Sequence, residues 1–322
     1  MDFTELIDLA SERLGGAVVV ANDDFFAPKE NLLKPSAPIF IEGKYTDRGK
    51  WMDGWETRRR RTPGFDWCII RLGLPGTIHG VVVDTSFFRG NYPEHCSLDG
   101  ATFAGVPTEA ELTSDAVSWV PLLPQMPLSG DSQNPFPINY DERVTHLRFR
   151  IFPDGGVARL RVYGEVIPDW EQLRRAGGQI DLAAAENGAL VLSCSDMFFG
   201  HRHNLIMPGR AADMSDGWET KRRRGPGHDW VIIKLARRGH IRRVEVDTAH
   251  FKGNFPASCS LEACTDLSAP WSTVLPRTKL QAHTRHFFDQ ELLDTGVASH
   301  LRFSIFPDGG VSRLRVYGTL VD

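Results

Sequence analysis

One polar segment occurs twice in the sequence and is rich in residue types that bind anions and transfer protons. The segment "DGWETRRRRTPGFDW" begins at Asp53, and "DGWETKRRRGPGHDW" begins at Asp216. An arginine forms paired hydrogen bonds to a carboxylate or phosphate, and a glutamate accepts or gives a proton. The segment is a candidate anion-binding and acid–base site, with a solvated face of local ion pairs as the alternative. Its candidate residues are Trp55, Glu56, Arg58, Arg59 and Arg60, matched by Trp218, Glu219, Lys221, Arg222 and Arg223.

A second duplicated cluster follows a run rich in valine. The segments "VDTSFFRGNYP" and "VDTAHFKGNFP" each place an aspartate at the end of the run and an asparagine in a Gly-Asn-Xaa-Pro turn. Such residues often bond their own backbone in turns. The functional interpretation is that a carboxylate and an amide project from one rim of the fold. The residues concerned are Asp84 and Asn91, matched by Asp247 and Asn254.

A third duplicated pair lies on a strand that alternates apolar and charged residues. His146 and Arg148 in the first copy match His300 and Arg302 in the second. A spacing of two places both side chains on one face of a sheet. A lone histidine is usually a hydrogen-bonded structural residue, but an arginine on the same face favours a site.

The sequence gives only weak evidence for a metal-binding site. The segment "HRH" at 201–203 resembles a metal-binding pair, but the first copy has Pro28 and Glu30 at the matching positions, and no third histidine or cysteine is near. The spacing therefore indicates no cofactor, and a divalent metal stays an open alternative.

The duplication sets the domain organisation. Residues 53–98 align with 216–261 without a gap, with 28 of 46 positions identical, and residues 145–166 align with 299–320, with 17 of 22 identical. Collinear blocks with different offsets indicate two homologous domains that differ in loop length. We expect one domain over residues 1–167 and the other over residues 168–322.

The elements that carry these clusters read as β-strands. Short runs rich in Val and Ile, such as "DWCIIRLG", are bounded by Gly and Pro, and "HLRFRIFPDGGVARLRVYG" is typical of a β-hairpin. Helical patterning occurs only at the front of each repeat, near 2–14 and 178–186. The sequence predicts an all-β fold of two tandem jelly-roll β-sandwich repeats, with a short N-terminal helix in each.

The bulk properties exclude several classes of partner. A net charge of −4 argues against a protein that coats nucleic acid, and no apolar run approaches the ~20 residues that span a bilayer. The first residues lack the basic and apolar pattern of a secretion signal, and the five cysteines form no CxxC pair. We expect a cytoplasmic protein with neither a nucleic-acid nor a membrane partner.

The long motifs together resemble one family. "DGWET(R/K)RRR", "VDT..F.GN.P..CSL" and "HLRF.IFPDGG..RLRVYG", each present twice, are similar to those of the allantoicases (allantoate amidinohydrolases), over about residues 7–321. The resemblance implies galactose-binding-like jelly rolls, hydrolysis of allantoate to ureidoglycolate and urea in purine (allantoin) degradation, and homo-oligomers. The second repeat has the family's "GPGHDW" with His228, whereas the first has Phe65.

That reaction suggests roles for the duplicated residues. An arginine would bind the substrate carboxylate, amides would bind the ureido groups, and an acid and a base would protonate urea and activate water. The catalytic candidates are Glu56, Glu219, His146, His300, Asp84 and Asp247. The substrate-binding candidates are Arg58, Arg148, Arg302, Asn91, Asn254, Trp55, Trp218 and His228.

Two other functions compete with this interpretation. A non-catalytic carbohydrate-binding tandem would use exposed tryptophans as platforms, with Trp55, Trp67, Trp218 and Trp230 as the candidates. A hydrolase of ureidoglycolate would release the same urea from a different substrate. Aromatic exposure and product analysis discriminate these alternatives.

Overall fold

The computed structural model describes residues 2–321, apart from the side chain of Ala176. The chain divides into two compact units, Met1–Ile167 and Pro168–Asp322. Within the described residues no helix is long and apolar enough to cross a membrane.

Residues 2–167 contain eleven strands and one α-helical turn. Single 3-10 turns occur at Phe3–Glu5, Glu12–Leu14 and Lys29–Leu33. The strands and the helix are β1 (Ile7–Asp8), β2 (Ala17–Ala21), β3 (Tyr45–Thr46), β4 (Gly49–Lys50), β5 (Trp55–Glu56), β6 (Asp66–Asp84), β7 (His95–Ala101), α1 (Glu109–Leu112), β8 (Val120–Pro127), β9 (Gln133–Phe152), β10 (Gly156–Val157) and β11 (Arg159–Val166).

The second unit repeats much of this order with shorter loops, and within residues 168–321 it has no counterpart of β3, β4 or α1. It has 3-10 turns at Ala185–Asn187, Arg202–Ile206 and Met214–Asp216. Its elements are α2 (Trp170–Ala176), β12 (Ile180–Asp181), β13 (Leu190–Cys194), β14 (Trp218–Glu219), β15 (Asp229–Asp247), β16 (Ser258–Cys264), β17 (Ser272–Lys279), β18 (Arg285–Phe288), β19 (Val297–Phe306), β20 (Gly310–Val311) and β21 (Arg313–Leu320).

Two long strands build both layers of the first sandwich. The first part of β6 pairs with β2 and the end of β9, and its last part pairs with β11 and the start of β9. The register shifts between Arg71 and Gly76, where the strand passes from one layer to the other. The front sheet is therefore β2–β6–β9–β7–β8, and the back sheet is β1–β11–β6–β9.

The second sandwich has the same order. Its front sheet is β13–β15–β19–β16–β17, and its back sheet is β12–β21–β15–β18. Here two separate strands, β18 and β19, replace the single β9 of the first unit. The predicted all-β fold of two jelly-roll repeats is confirmed, and the short N-terminal helices take the form of 3-10 turns.

Alternation along the strands fills the core. Leu147, Phe149 and Ile151 of β9 are buried between the sheets, whereas Arg148 and Arg150 lie on the outer face of the front sheet. Burial of each such large apolar side chain stabilises the fold by about 1.5–3 kcal/mol. The five cysteines are free thiols.

A buried ion pair ties the first duplicated segment to the back sheet. Arg159 is 1 % exposed, and its guanidinium donates to a carboxylate oxygen of Asp53 at 2.7 Å and to the Asp53 carbonyl at 2.9 Å. Burial alone would raise the pKa of Asp53, but the hydrogen bond and charge of Arg159 hold it below its usual value. Arg313 and Asp216 form the same pair in the second unit, at 2.9 Å.

We expect Arg159→Met to destabilise the first unit by about 3–5 kcal/mol, because it leaves the Asp53 carboxylate buried without its partner. Denaturant unfolding followed by tryptophan fluorescence measures the change. The control is Lys34→Met, which removes an exposed partner 3.6 Å from the same carboxylate and should cost no more than about 1 kcal/mol. Equal effects of the two substitutions would contradict the assignment.

Candidate active site

The duplicated segments meet at one end of each sandwich. In the first unit, β5 pairs with β10, so that Glu56 lies opposite Gly156. The Gly156 N–H donates to the Asn91 carbonyl at 2.7 Å. A Cβ on Gly156 would lie 1.9 Å from the Phe88 ring, so only glycine allows this approach. We call this end, formed by residues 53–61, 84–93 and 152–157, the rim.

The centre of the rim is a glutamate bound to an asparagine. Asn91 Nδ2 donates to Glu56 Oε1 at 2.7 Å, and Asn254 Nδ2 donates to Glu219 Oε1 in the second unit. Burial raises the pKa of Glu56, against the opposing effect of the Asn91 hydrogen bond. A carboxyl group with a raised pKa holds a proton nearer neutral pH, as a general acid requires.

The basic run at the rim alternates between paired and open side chains. Arg58 donates to Asp23 at 2.6 Å, and Arg60 donates to Asp66 at 2.6 Å. Arg59 and Arg61, by contrast, have no ion-pair or side-chain hydrogen-bond partner among residues 2–321. Half of the run therefore holds the loop in place, and the other half presents charge to solvent.

The second unit repeats this alternation. Arg223 pairs with Asp229, and the Lys221 amine lies 4.4 Å from the centre of the Phe198 ring. Within the described part of the chain, Arg222 and Arg224 are again without an ion pair. Open guanidiniums therefore occur on the same segment as the rim glutamate in both repeats.

Two residues predicted to contact substrate lie in the core instead. Trp55 and Trp218 are both 0 % exposed. Each indole N–H donates to a backbone carbonyl, of Asp23 at 2.8 Å and of Asp196 at 2.9 Å. Their burial corrects the sequence-based assignment, because a buried ring has no face to offer a substrate.

The aspartates of the rim bond to the backbone of their own turns, which was the alternative to a role in the site. Asp84 is 5 % exposed, and one of its carboxylate oxygens accepts from the Ser86 N–H at 2.8 Å. Asp247 is 1 % exposed and accepts from the Ala249 N–H at 2.8 Å. Their position corrects the expectation that these carboxylates project from the rim, whereas Asn91 and Asn254 do lie there.

The third cluster lies away from the rim, on the front sheet. His146 is 3 % exposed, and its Nδ1 lies 2.9 Å from the Thr145 hydroxyl. It lies six positions before Phe152, the rim end of β9, which is about 20 Å along a strand. Arg148 donates twice to Asp99, at 3.0 and 2.9 Å. The structure therefore does not bring this pair together with Glu56.

The matching residues of the second unit lie on its front sheet as well. His300 Nδ1 lies 2.7 Å from the Ser299 hydroxyl, and Arg302 donates to Glu262 at 2.7 Å. His228 packs on Phe306, with ring centroids 4.6 Å apart. His228 and Arg302 line one groove, which Glu219 and Asn254 do not line.

Sequence reasoning missed the acidic partners of the basic run. Asp23 binds Arg58, and Asp154 accepts from the Arg60 N–H at 2.8 Å. Their counterparts, Asp196 and Asp308, accept from the backbone N–H groups of Lys221 and Arg223, both at 2.7 Å. Each of these positions is an aspartate in both repeats, and this repetition was the sequence signal that could have identified them. Among the described residues, no group of three or more His, Cys, Asp or Glu side chains could hold a metal ion.

The fold and the duplicated rim define a class of tandem-repeat jelly-roll proteins with the same polar contacts in each repeat. A family model described as "Allantoicase repeat" matches residues 7–167 and 180–321. An allantoicase of Dictyostelium discoideum is 48 % identical over 99 % of this chain and 88 % of its own, and a "Probable allantoicase" of Nocardia farcinica is 52 % identical over 99 % and 95 %.

A solved structure agrees with these matches. The crystal structure of an allantoicase from Saccharomyces cerevisiae is 38 % identical, covers 97 % of this chain and 93 % of its own, and superposes with a TM-score of 0.84. The chain belongs to the allantoicase family, and this membership makes it a hydrolase.

The pH dependence of stability tests the structural role of His146. Burial, with the nearby Arg71 charge, lowers the pKa of His146 to about 4. The fold therefore favours the neutral ring, and this stability is present above the unfolded pKa of about 6.5 and is lost as the pH falls towards 4. The free energy of unfolding of the wild type should therefore fall by about 3 kcal/mol from this cause between pH 6.5 and 4, and we expect His146→Gln to abolish that fall. The assignment would be contradicted if the free energy of unfolding fell by the same amount in the wild type and the variant over this pH range.

Proposed function

We propose that this chain hydrolyses allantoate to ureidoglycolate and urea, with the rim as its active site. The observation that carries the proposal is the Glu–Asn pair, Glu56 with Asn91 and Glu219 with Asn254, at the same place in both repeats. Membership in the allantoicase family supports the substrate.

The reaction needs a proton at the leaving group. The central carbon of allantoate carries a carboxylate, a hydrogen and two ureido groups, and hydrolysis breaks one C–N bond while water supplies the new C–O bond. Urea leaves poorly as an anion, so an acid must protonate its nitrogen. The Glu56 carboxyl fits this role because burial raises its pKa, and after giving its proton it can regain one from the attacking water.

The amide beside the glutamate fits the ureido group. Asn91 Nδ2 is used by Glu56, which fixes the orientation of the amide. The Asn91 Oδ1 atom is left to accept from a ureido N–H. The same arrangement holds for Asn254 and Glu219. The pair therefore serves both orientation of the substrate and proton transfer.

The open guanidiniums of the rim fit the substrate carboxylate. Arg59 is three residues from Glu56, a separation of at most about 11 Å along the chain, and it lacks an ion-pair partner within residues 2–321. Arg58, Arg148 and Arg302 are already paired with acidic side chains. Binding of a carboxylate is therefore assigned to Arg59 and its counterpart Arg222, which can form the bidentate pair without breaking an internal one.

The cytoplasmic location and the homo-oligomeric state in this proposal rest on the chain's thiols and on its family. The five cysteines are unpaired, which fits the reducing cytoplasm. Assembly into homo-oligomers, with neither nucleic-acid nor membrane partners, completes the proposal. The carbohydrate-binding alternative loses two of its four aromatic platforms, because Trp55 and Trp218 are fully buried.

The direct test is incubation of purified protein with allantoate, with and without EDTA. We expect urea and ureidoglycolate in a one-to-one ratio, and the EDTA arm reports any dependence on a metal ion. Urea released only from ureidoglycolate would overturn the proposed substrate. Release of no urea from either compound by folded protein would favour ligand binding without catalysis.

Substitution of the rim glutamates tests the site. We expect Glu56→Gln combined with Glu219→Gln to lower kcat by about 10²–10⁴-fold, because glutamine keeps the asparagine hydrogen bond but transfers no proton. The two single variants show which repeat turns over substrate. The control is Glu171→Gln, an exposed residue of α2, which should leave kcat unchanged. Full activity of the double variant would place the acid elsewhere.

A matched pair of arginine variants tests the carboxylate clamp. We expect Arg59→Gln with Arg222→Gln to raise KM at least about tenfold, since an ionic hydrogen-bond pair to the substrate is lost. Arg148→Gln with Arg302→Gln should leave KM near the wild-type value if the front sheet takes no part. The opposite result, with KM raised only in the second double variant, would move the clamp to the front sheet. Far-UV circular dichroism checks that each variant is folded.

A further inference from the structure

A second site lies on the front sheet of the second unit. The outer face of this sheet forms a groove of about 680 Å³. Its described lining residues include Trp230, Glu262, Arg277, Arg302 and Phe306 on the strands and His228 just before β15. None of the rim residues assigned above to catalysis is among the groove's described lining residues.

Arg277 is held in place while its charge stays open. Its Nε donates to the Ser258 hydroxyl at 2.8 Å, and its guanidinium lies 4.1 Å from the centre of the Phe306 ring. The two terminal nitrogens make no hydrogen bond or ion pair with residues 2–321. Such a guanidinium is already oriented, so binding an anion would cost little further side-chain entropy.

Among the described lining residues, the other two charged side chains form an ion pair with each other. Arg302 donates from Nε and a terminal nitrogen to Glu262 Oε2, at 2.7 and 2.6 Å. Within the described residues, two guanidiniums therefore face one carboxylate, and one positive charge is left over, on Arg277. Glu262 Oε1 accepts no hydrogen bond from the described chain and can accept an N–H from a ligand.

The first unit has a smaller groove of about 440 Å³ at the equivalent place, with different side chains around it. Residues of the segment 112–117, including Leu112 and Val117, line the corresponding surface, and the second unit has a shorter connection there. Leu123 and Leu275 occupy equivalent registers on β8 and β17, so Gln125 stands where the second unit has Arg277. The open guanidinium is thus a feature of the second unit, in contrast to the duplicated rim.

We propose that the groove on the second unit binds a small carboxylate that carries N–H donors. Arg277 takes the carboxylate, Glu262 Oε1 accepts from an N–H group, and the planar rings of Trp230 and His228 pack against the ligand. The site is separate from the rim and does not depend on the proposed reaction.

The probe is N-carbamoylglycine, which has one carboxylate and one ureido group but lacks the second ureido group of allantoate. We expect isothermal titration of the full chain to show binding that weakens about 10- to 100-fold in Arg277→Gln, because a hydrogen-bonded ionic contact is lost. Glutamine is the residue that the first unit carries at this position, so the variant is matched to the fold. The neutral amide of the same compound should bind no better to wild type than to the variant.

Binding at the rim is separated by a second background. The Arg59→Gln, Arg222→Gln protein should keep the component of binding that Arg277→Gln removes, together with the change in fluorescence of Trp230. The proposal would be overturned if adding Arg277→Gln to the Arg59→Gln, Arg222→Gln protein left its affinity for N-carbamoylglycine unchanged. A variant that loses allantoate turnover but still binds N-carbamoylglycine would report on the rim and not on this groove.

Discussion

The position of the rim depends on a buried ion pair. Arg159 on the back sheet binds both the carboxylate and the carbonyl of Asp53. This contact fixes the chain two residues before Trp55, whose burial then sets the direction of the short β5 ladder. Glu56 follows on that ladder and comes within hydrogen-bond distance of Asn91. A buried charge with several partners thus defines where the glutamate lies.

The same chemistry serves two purposes in the basic run. Arg58 and Arg60 neutralise Asp23 and Asp66, and such pairing anchors a loop that has little regular secondary structure. Arg59 and Arg61 alternate with them along the chain and have no ion-pair partner among residues 2–321. A segment that is rich in one residue type can therefore be half structural and half functional, and only the partners of each side chain distinguish the two groups.

The architecture was predictable because it rests on local patterns. Alternation in "HLRFRIF" and the Val- and Ile-rich runs predicted strands, and the duplication predicted two similar sandwiches. The site was less predictable because its contacts join distant segments: Arg58 meets Asp23 across 35 positions, and Asn91 meets Glu56 across the same separation. Trp55 was assigned to substrate because an indole suits both a core and a binding surface, and burial decides between them.

The two repeats differ most where the front sheet faces outward. This face keeps Trp67 and Arg148 in the first unit and Trp230 and Arg302 in the second. Around these residues, Phe65 is replaced by His228 and Arg150 by Ser304, so the charge and hydrogen-bonding capacity of the surface change while the strands do not. Side chains on the outer face can vary without a packing cost, whereas those at the rim are tied to the backbone ladder of β5 and β10. The duplicated fold therefore keeps the same Glu–Asn contact in both units, while the two front sheets differ in the charge that they present.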